Sequence, residues 1–143
     1  MFKKRIKSKQ PQGGERLKTP DNSSVSTLTK KPIFSLEFLC KNYCISKCNK
    51  EQKAGILDKL HKWSKLTWKE IINSPKNALG HEKIKRDSIK IKKIPTLVKE
   101  VYVLSTRFNS GKNKKSRLLG YRVNEIFYLL WIDKDGKLYE HGS

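Results

Sequence analysis

The alternation of apolar and polar residues that marks a β-strand occurs early in the chain and again near its end. In PIFSLEFL, residues 32–39, Phe34, Leu36 and Phe38 share one face and predict a first strand. Later segments with strand character are VKEVYVLSTRF at 98–108, RLLGYRV at 117–123, IFYLLWI at 126–132 and KLYEH at 137–141. The unbroken apolar run at 129–132 predicts that its strand is central and covered on both faces.

Two helices are predicted between the first strand and the later ones, each by a capping box. The first box is Asn49 with Gln52, and apolar residues at helical spacing follow it: Ile56, Leu57, Leu60 and Trp63. The second box is Thr67 with Glu70, and the short helix behind it should end near Asn73. The segment 75–96, which is rich in Lys and Arg and interrupted by Pro and Gly, predicts a loop.

This order predicts a single α+β domain over residues 32–143, with two helices packed on one face of a small, mainly antiparallel sheet. Residues 1–31 have a different composition: many Lys and Arg stand against Glu15 and Asp21, and large apolar residues are few. Such a segment buries too little apolar surface to offset the entropy of ordering it, so we expect a flexible basic arm.

The charge of the chain narrows the choice of partner. The 143 residues contain 33 Lys and Arg against 13 Asp and Glu, a formal net charge of +20. A protein this basic is expected to work beside a polyanion, with nucleic acid first, or beside an acidic protein. The sequence lacks the run of about 18 apolar residues that a membrane span needs, so no membrane partner is predicted. Three clustered cysteines are a poor disulfide framework and favour the cytoplasm.

The cysteines also raise the question of a metal. Cys40, Cys44 and Cys48 are spaced by four, so on a helix they would share one face, with His61 or His81 as a fourth zinc ligand. Zinc sites usually have a second, more closely spaced pair of ligands, and this sequence lacks one. The preferred interpretation is therefore three small buried side chains, with neither metal nor cofactor predicted.

The last quarter of the chain carries a family resemblance. In RLLGYRVNEIFYLLWIDKDGKLYEH, residues 117–141, a Tyr-Arg pair is followed by an apolar strand and then a polar-aromatic segment that ends in His. This texture resembles the RelE/ParE toxin superfamily, the small basic toxins of bacterial toxin–antitoxin pairs. The resemblance implies a RelE-like fold, a metal-independent endoribonuclease that cuts mRNA on the ribosome, and an acidic antitoxin partner. Some members poison DNA gyrase instead, so the target stays open.

The resemblance also implies a catalytic set of Arg122, Tyr139 and His141. Arg122 would brace the phosphate bidentately, Tyr139 would stack on a base or donate to the leaving oxygen, and His141 would act as acid or base. Each has a structural alternative. Arg122 could pair with Glu125 or Glu140, Tyr139 could be a half-buried aromatic, and His141 could be frayed at the chain end.

A second set of residues is expected to hold the RNA backbone by charge. The run HEKIKRDSIKIKK at 81–93 is basic, and two further arginines lie on or beside the later strands. The predicted RNA-binding residues are Lys83, Lys85, Arg86, Arg107 and Arg117. His81 with Glu82 forms a second acid–base candidate pair, although a histidine in a loop often has no chemical role.

Two other function classes remain open from the sequence. One is a non-catalytic nucleic-acid-binding protein of a phage or mobile element, and the other is a protein that binds only another protein. A binder should lose affinity gradually as charges are removed. A nuclease should instead lose activity sharply at one or two residues while it still binds RNA.

Overall fold

The computed structural model describes residues 25–76, 78–91, 93–111 and 115–140 of the chain. Five strands lie in these residues: β1, Ile33–Ser35; β2, Glu82–Lys85; β3, Tyr102–Arg107; β4, Arg117–Val123; and β5, Ile126–Asp133. They form one sheet in the order β1-β5-β4-β3-β2, with β1 parallel to β5 and the other pairs antiparallel. The predicted α+β class with a mainly antiparallel sheet is confirmed.

Three helices accompany the sheet in the described residues: α1, Val25–Leu28; α2, Lys50–Ser64; and α3, Trp68–Ile72. Both predicted capping boxes are present. At the start of α2, Asn49 Oδ1 accepts from the Gln52 N–H and Gln52 Oε1 accepts from the Asn49 N–H, each at 2.8 Å. At α3, the same reciprocal pair joins Thr67 and Glu70. The local pattern therefore determines where these two helices begin.

Helices α2 and α3 pack on one face of the sheet, which we call the helical face. Trp63 of α2 lies edge-on to Trp68 of α3 at 5.5 Å between ring centroids, and to Phe127 of β5 at 5.4 Å. All three side chains are fully buried. The buried cluster is completed by Cys48, Ile56, Ile71, Phe108, Leu118, Leu129 and Ile132.

The other face of the sheet, the loop-covered face, has a second apolar layer. Segments 86–91, 93–98 and 137–139 lie over it instead of α-helices, and contribute Ile89, Val98, Leu138 and Tyr139. Because successive strand residues point to opposite faces, both sides of β4 and β5 are buried. Residues 129–132 are all buried, which confirms that this strand is covered on both faces.

The structure differs from the sequence-based expectation at the two ends of the sheet. Strand β1 ends at Ser35, and Leu36 and Phe38 are exposed rather than part of a longer strand. Residues 137–140 form no strand. The N–H groups of Lys137 and Leu138 donate instead to the Asp133 carboxylate, at 2.8 and 3.0 Å, so this carboxylate replaces a ladder of backbone hydrogen bonds.

Two elements lie where none was predicted. Strand β2 occurs within 75–96, which was expected to be a loop throughout. Helix α1 lies within the segment expected to be a flexible arm, and its Thr27 is buried. Residues 1–24 of that segment lie outside the described residues.

Candidate nucleic-acid interface

Strand register places several basic and aromatic residues together on the helical face. Lys83 of β2 pairs with Leu104 of β3, and Lys85 pairs with Tyr102. Leu104 in turn pairs with Gly120 of β4. Residues two apart on a strand share a face, so Arg122 lies on the same face as Gly120. We use the name basic patch for the set His81, Lys83, Lys85, Tyr102 and Arg122.

The β2 edge of the basic patch is accessible, while His81 and Arg122 lie against Trp63 of α2 and Trp68 of α3. Lys83 and Lys85 are exposed, and 42% of the Tyr102 surface is accessible. Between the two lysines, Ile84 points to the loop-covered face and is buried there. Strand β2 therefore presents charge on one face while it anchors itself by an apolar residue on the other.

Arg122 is held in place at the inner border of the patch. Its Nε donates to the Asn124 carbonyl at 2.8 Å, and its Nη2 donates to Thr27 Oγ1 at 3.2 Å. The guanidinium stacks on Trp68, 4.8 Å from the ring centroid. Burial lowers its pKa below the usual value, yet an arginine remains charged at neutral pH. Arg122 is thus an oriented, half-buried cation with more donors than these two bonds use.

The expected alternative for Arg122 was an ion pair with Glu125 or Glu140. In the described residues these carboxylates pair elsewhere: Glu125 lies 3.9 Å from Lys30 Nζ, and Glu140 lies 2.9 Å from Lys90 Nζ. Arg122 is positioned by a carbonyl, a hydroxyl and an aromatic ring instead, none of which neutralises its charge.

His81 completes the patch as a neutral group. Its ring lies 6.4 Å from that of Trp63, and its buried Nδ1 has no hydrogen-bond partner among the described residues. Burial, with smaller contributions from the charges of Lys83 and Arg122, lowers the pKa of His81 to about 4. At neutral pH His81 is therefore an uncharged imidazole within electrostatic range of two cations.

Tyr139 and Arg117 lie on the opposite, loop-covered face. The Tyr139 hydroxyl is 2.8 Å from Ser105 Oγ and also contacts Arg117. Both residues are buried, Tyr139 at 3% and Arg117 at 5% exposure, and burial raises the pKa of Tyr139. The structure therefore does not bring Arg122 and Tyr139 together. His141, the third member of the expected catalytic set, lies outside the described residues.

The five residues expected to hold RNA fall into four groups. Lys83 and Lys85 join Arg122 in the basic patch. Arg86 holds the loop over the sheet, since its Nη1 donates to the Val98 carbonyl at 3.2 Å. Arg117 is buried as described above. Arg107, at the end of β3, is exposed and lies near Lys59 of α2, apart from the patch.

Sequence reasoning did not select Tyr102 as a site residue. The alternation of Tyr102, Leu104 and Thr106 along β3 would have placed Tyr102 on the face of Leu104, but the partner strand β2 was expected to be a loop. His81 was selected as a partner of Glu82. That carboxylate instead lies 3.8 Å from Lys76 Nζ.

The cysteines do not form a metal centre in the described part of the chain. They lie at the ends of two short 3-10 turns, Lys41–Tyr43 and Ile45–Lys47, rather than along one helical face. No group of three or more potential His, Cys, Asp or Glu ligands occurs among the described residues. Cys48 is buried in the helical-face core, and Cys40 packs against the apolar layer of the loop-covered face.

Comparisons with known proteins do not assign the chain to a family. No family model, curated protein or solved structure matches it. Within the described residues, no helix combines the length and the apolar character that crossing a bilayer requires. The basic patch and the charge of the chain are therefore the features that bear on function.

Proposed function

We propose that this protein binds single-stranded RNA through the basic patch. The observation that carries the proposal is the grouping of Lys83, Lys85 and Arg122 with the exposed ring of Tyr102 on one accessible part of the sheet. Cations contact phosphates, and an exposed aromatic ring stacks on an unpaired base. A patch of this composition suits a strand whose bases are not already paired.

The charge of the whole chain supports the same proposal. Lys and Arg outnumber Asp and Glu by 33 to 13, so most cations have no acidic partner within the chain. In the described residues, Asp58 and Glu82 form surface ion pairs with Lys62 and Lys76, and neither carboxylate lies opposite the patch lysines. A net positive surface speeds the association with RNA and makes it depend on salt.

RNA cleavage is the second candidate function, and His81 is the observation that favours it. A neutral imidazole can accept the proton of a ribose 2′-hydroxyl as its oxygen attacks the adjacent phosphorus. Lys83 and Arg122 would stabilise the charge on the phosphorane-like transition state. The 5′-oxygen would leave with a proton from water, giving a cyclic phosphate and a 5′-hydroxyl end. This chemistry requires neither metal nor cofactor.

This second candidate corresponds to the resemblance to the RelE/ParE superfamily. Under this second proposal, the protein is the toxin of a toxin–antitoxin pair, acts on mRNA at the ribosome, and is neutralised by an acidic antitoxin. The net charge of +20 would favour fast, salt-dependent capture by such a partner. The α+β order of two helices and a mainly antiparallel sheet is compatible with this interpretation.

RNA binding is tested by a charge-matched pair of double variants. In Lys83→Ala/Lys85→Ala, we expect the affinity for a fluorescently labelled single-stranded RNA to fall about tenfold at 100 mM salt, measured by anisotropy. The slope of log affinity against log salt should decrease by about 1.4, since each lost phosphate contact on a single strand removes about 0.7.

The control is Lys50→Ala/Lys53→Ala, which removes two exposed charges at the start of α2. A control loss of about twofold would leave the patch as the binding surface. An equal loss in both double variants would mean that net charge alone attracts RNA, and the patch would lose its role.

Cleavage is tested by inducing the parent chain in growing bacteria beside His81→Asn and His61→Asn. We expect the parent to arrest growth and fragment transcripts, and His81→Asn to reduce the cleavage rate by at least about 100-fold, as for a general base. His61 is exposed on α2, so His61→Asn should behave like the parent. Normal growth with intact transcripts, from a parent protein shown to be folded, would leave RNA binding as the function and reject cleavage.

A further inference from the structure

A second group of cations surrounds a cavity of about 270 Å³ between α2 and the end of β3. Three basic side chains line it, together with one carboxylate and one amide: Lys59, Lys62, Arg107, Asp58 and Asn109. Lys62 Nζ lies 3.0 Å from the Asp58 carboxylate, which accounts for one of the three positive charges. Two positive charges remain in excess around this cavity.

Lys59 is unusual because it is a buried lysine that has no acidic partner among the described residues; its Nζ lies 5.8 Å from the centroid of the Trp63 ring. Only 6% of the residue is exposed, and Nζ donates to the Ala78 carbonyl at 3.0 Å. No described carboxylate lies within ion-pair distance of it. Buried lysines are normally paired with an acid, since an ammonium group loses its hydration on burial. Burial lowers the pKa of Lys59 to about 8, with smaller contributions from Lys62 and Arg107.

Arg107 provides the second uncompensated cation. It is exposed at the end of β3, and none of the described carboxylates forms an ion pair with it. Its charge acts on Lys59 across the cavity. Two like charges held on one cavity destabilise each other unless an anion lies between them.

The cavity has a rigid wall. A Cβ at Gly55 would overlap the carbonyl oxygen of Asn109, so the backbone of α2 lies directly against the loop that follows β3. A side chain at residue 55 would push these two elements apart. The absence of a Cβ thus fixes the distance between the cations on α2 and the one on β3.

The cavity is also connected to the basic patch by one short segment. Ala78 receives the hydrogen bond from Lys59, and Leu79 accepts one from Trp63 Nε1 at 2.6 Å. His81 of the patch follows two residues later. A strand of nucleic acid that lies across the patch would therefore reach the cavity along residues 78–81.

We propose that the cavity formed by Lys59, Lys62 and Arg107 binds a phosphate group of the RNA, as a second subsite beside the basic patch. The subsite deepens the proposed RNA-binding function and depends on it for the identity of the ligand. A guanidinium and two ammonium groups supply the donors that phosphate oxygens accept. The phosphate belongs either to the internal backbone or to a 5′ end, and both carry the same chemistry.

The subsite makes binding sensitive to pH. A bound phosphate stabilises the charged form of Lys59, so RNA affinity should fall as the pH rises through about 8, where free Lys59 loses its proton. The other charged groups that face Lys59 are Asp58 and Lys62 of α2 and Arg107 of β3. In Lys59→Met this pH dependence should disappear.

The test uses the full chain and three variants: Lys59→Met, Arg107→Gln, and the control Lys53→Met, whose exposed residue lies on the same helix outside the cavity. Inorganic phosphate is titrated first, and the amide NMR shifts of Ala78, Leu79 and Asn109 are followed. The affinities for a 5′-phosphorylated and a 5′-hydroxyl RNA of one sequence are then compared. Arg107→Gln changes an exposed residue, so it remains informative if Lys59→Met fails to fold.

We expect phosphate to shift these amides in the parent and control but not in Lys59→Met, and both cavity variants to lose about tenfold in RNA affinity. A preference for the 5′-phosphorylated RNA would identify a terminal phosphate, and equal affinities an internal one. The parent could bind RNA while phosphate shifts none of these amides and the cavity variants keep the parent's RNA affinity. That result would overturn the subsite and leave the proposed function standing. Amides that shift with phosphate in a protein that does not bind RNA would retain the phosphate site and reject RNA as its ligand. If phosphate shifts no amide and the protein does not bind RNA, both the subsite and the proposed function are rejected.

Discussion

The two faces of the sheet carry the same residue types in opposite situations. On the helical face, Arg122 is half-buried over Trp68, and Tyr102 is 42% exposed. On the loop-covered face, Arg117 is 5% exposed, and Tyr139 is 3% exposed with its hydroxyl bonded to Ser105. An arginine and a tyrosine thus face a potential ligand on one side and stabilise the core on the other.

The difference arises from what covers each face. Helices α2 and α3 pack mainly against β4 and β5 and leave the β2 side of the helical face accessible. On the other face, residues 86–91 and 93–98 lie against β2 and β3, and residues 137–139 complete the layer. Helix α2 reaches the segment before β2, where its Lys59 and Trp63 donate to the Ala78 and Leu79 carbonyls. On the helical face of β2 itself, Lys83 and Lys85 are exposed.

The largest expected effect comes from Trp68, which supports the helical-face core and Arg122 together. Trp68→Ala removes a fully buried indole, its hydrogen bond to the Glu125 carbonyl at 3.0 Å and the surface on which Arg122 stacks. We expect the free energy of unfolding to fall by about 3–5 kcal/mol, measured by urea denaturation.

Trp131→Ala is the matched control on the loop-covered face, because Trp131 is also fully buried. Both variants should lose comparable stability, and only Trp68→Ala should also weaken RNA binding, assayed at a temperature where both are folded. A loss of stability below about 1 kcal/mol in Trp68→Ala would show that the helical-face core does not depend on this residue.

His81 is expected to have a smaller effect on the free energy of unfolding, and this effect depends on pH. The folded-state pKa of about 4 lies below the usual value of 6.5, so the unfolded chain takes up the proton first as the pH falls. The neutral His81 therefore makes its full contribution to stability above pH 6.5, and this contribution is lost as the pH falls from 6.5 to 4. Relative to His81→Phe, the free energy of unfolding of the parent should decrease by about 2–3 kcal/mol over this pH range.

The measurement is urea denaturation of both proteins at several pH values. The two proteins share the same carboxylates, so the difference between their unfolding free energies reports on His81 alone. Identical pH profiles for the parent and the variant would mean that the imidazole is solvated and its pKa ordinary.

The elements that the sequence predicted well are those with a strong local signal. Capping boxes marked the starts of α2 and α3, and strand β4 has the predicted bounds, Arg117–Val123. Strand β5 extends one residue beyond the predicted end. Each of these signals lies within a few residues of the element it determines, so no knowledge of the tertiary structure was needed.

The candidate site was harder to predict because it depends on which segments meet. Strand β2 contains a single buried apolar residue, Ile84, between two lysines, a composition that edge strands share with loops. In the structure, Tyr121 and Arg122 point to opposite faces of β4. The sequence did not indicate that Tyr139 would pack with Tyr121, since that contact depends on how the segment after β5 folds back.

The smallest expected effects distinguish Tyr139, a tyrosine of the core, from Tyr102, the tyrosine proposed to bind RNA. Tyr139→Phe removes the hydroxyl that bonds Ser105, and we expect a loss of about 1 kcal/mol in unfolding free energy with RNA affinity unchanged within twofold. Tyr102→Ala should do the reverse: stability within about 0.5 kcal/mol of the parent, and an affinity at least about fivefold lower through lost base stacking. Denaturation and anisotropy on both variants decide between the two faces. A contrary result would be a sharp loss of RNA affinity or cleavage in Tyr139→Phe with Tyr102→Ala unaffected. It would place the site on the loop-covered face, because the Tyr139 hydroxyl lies there.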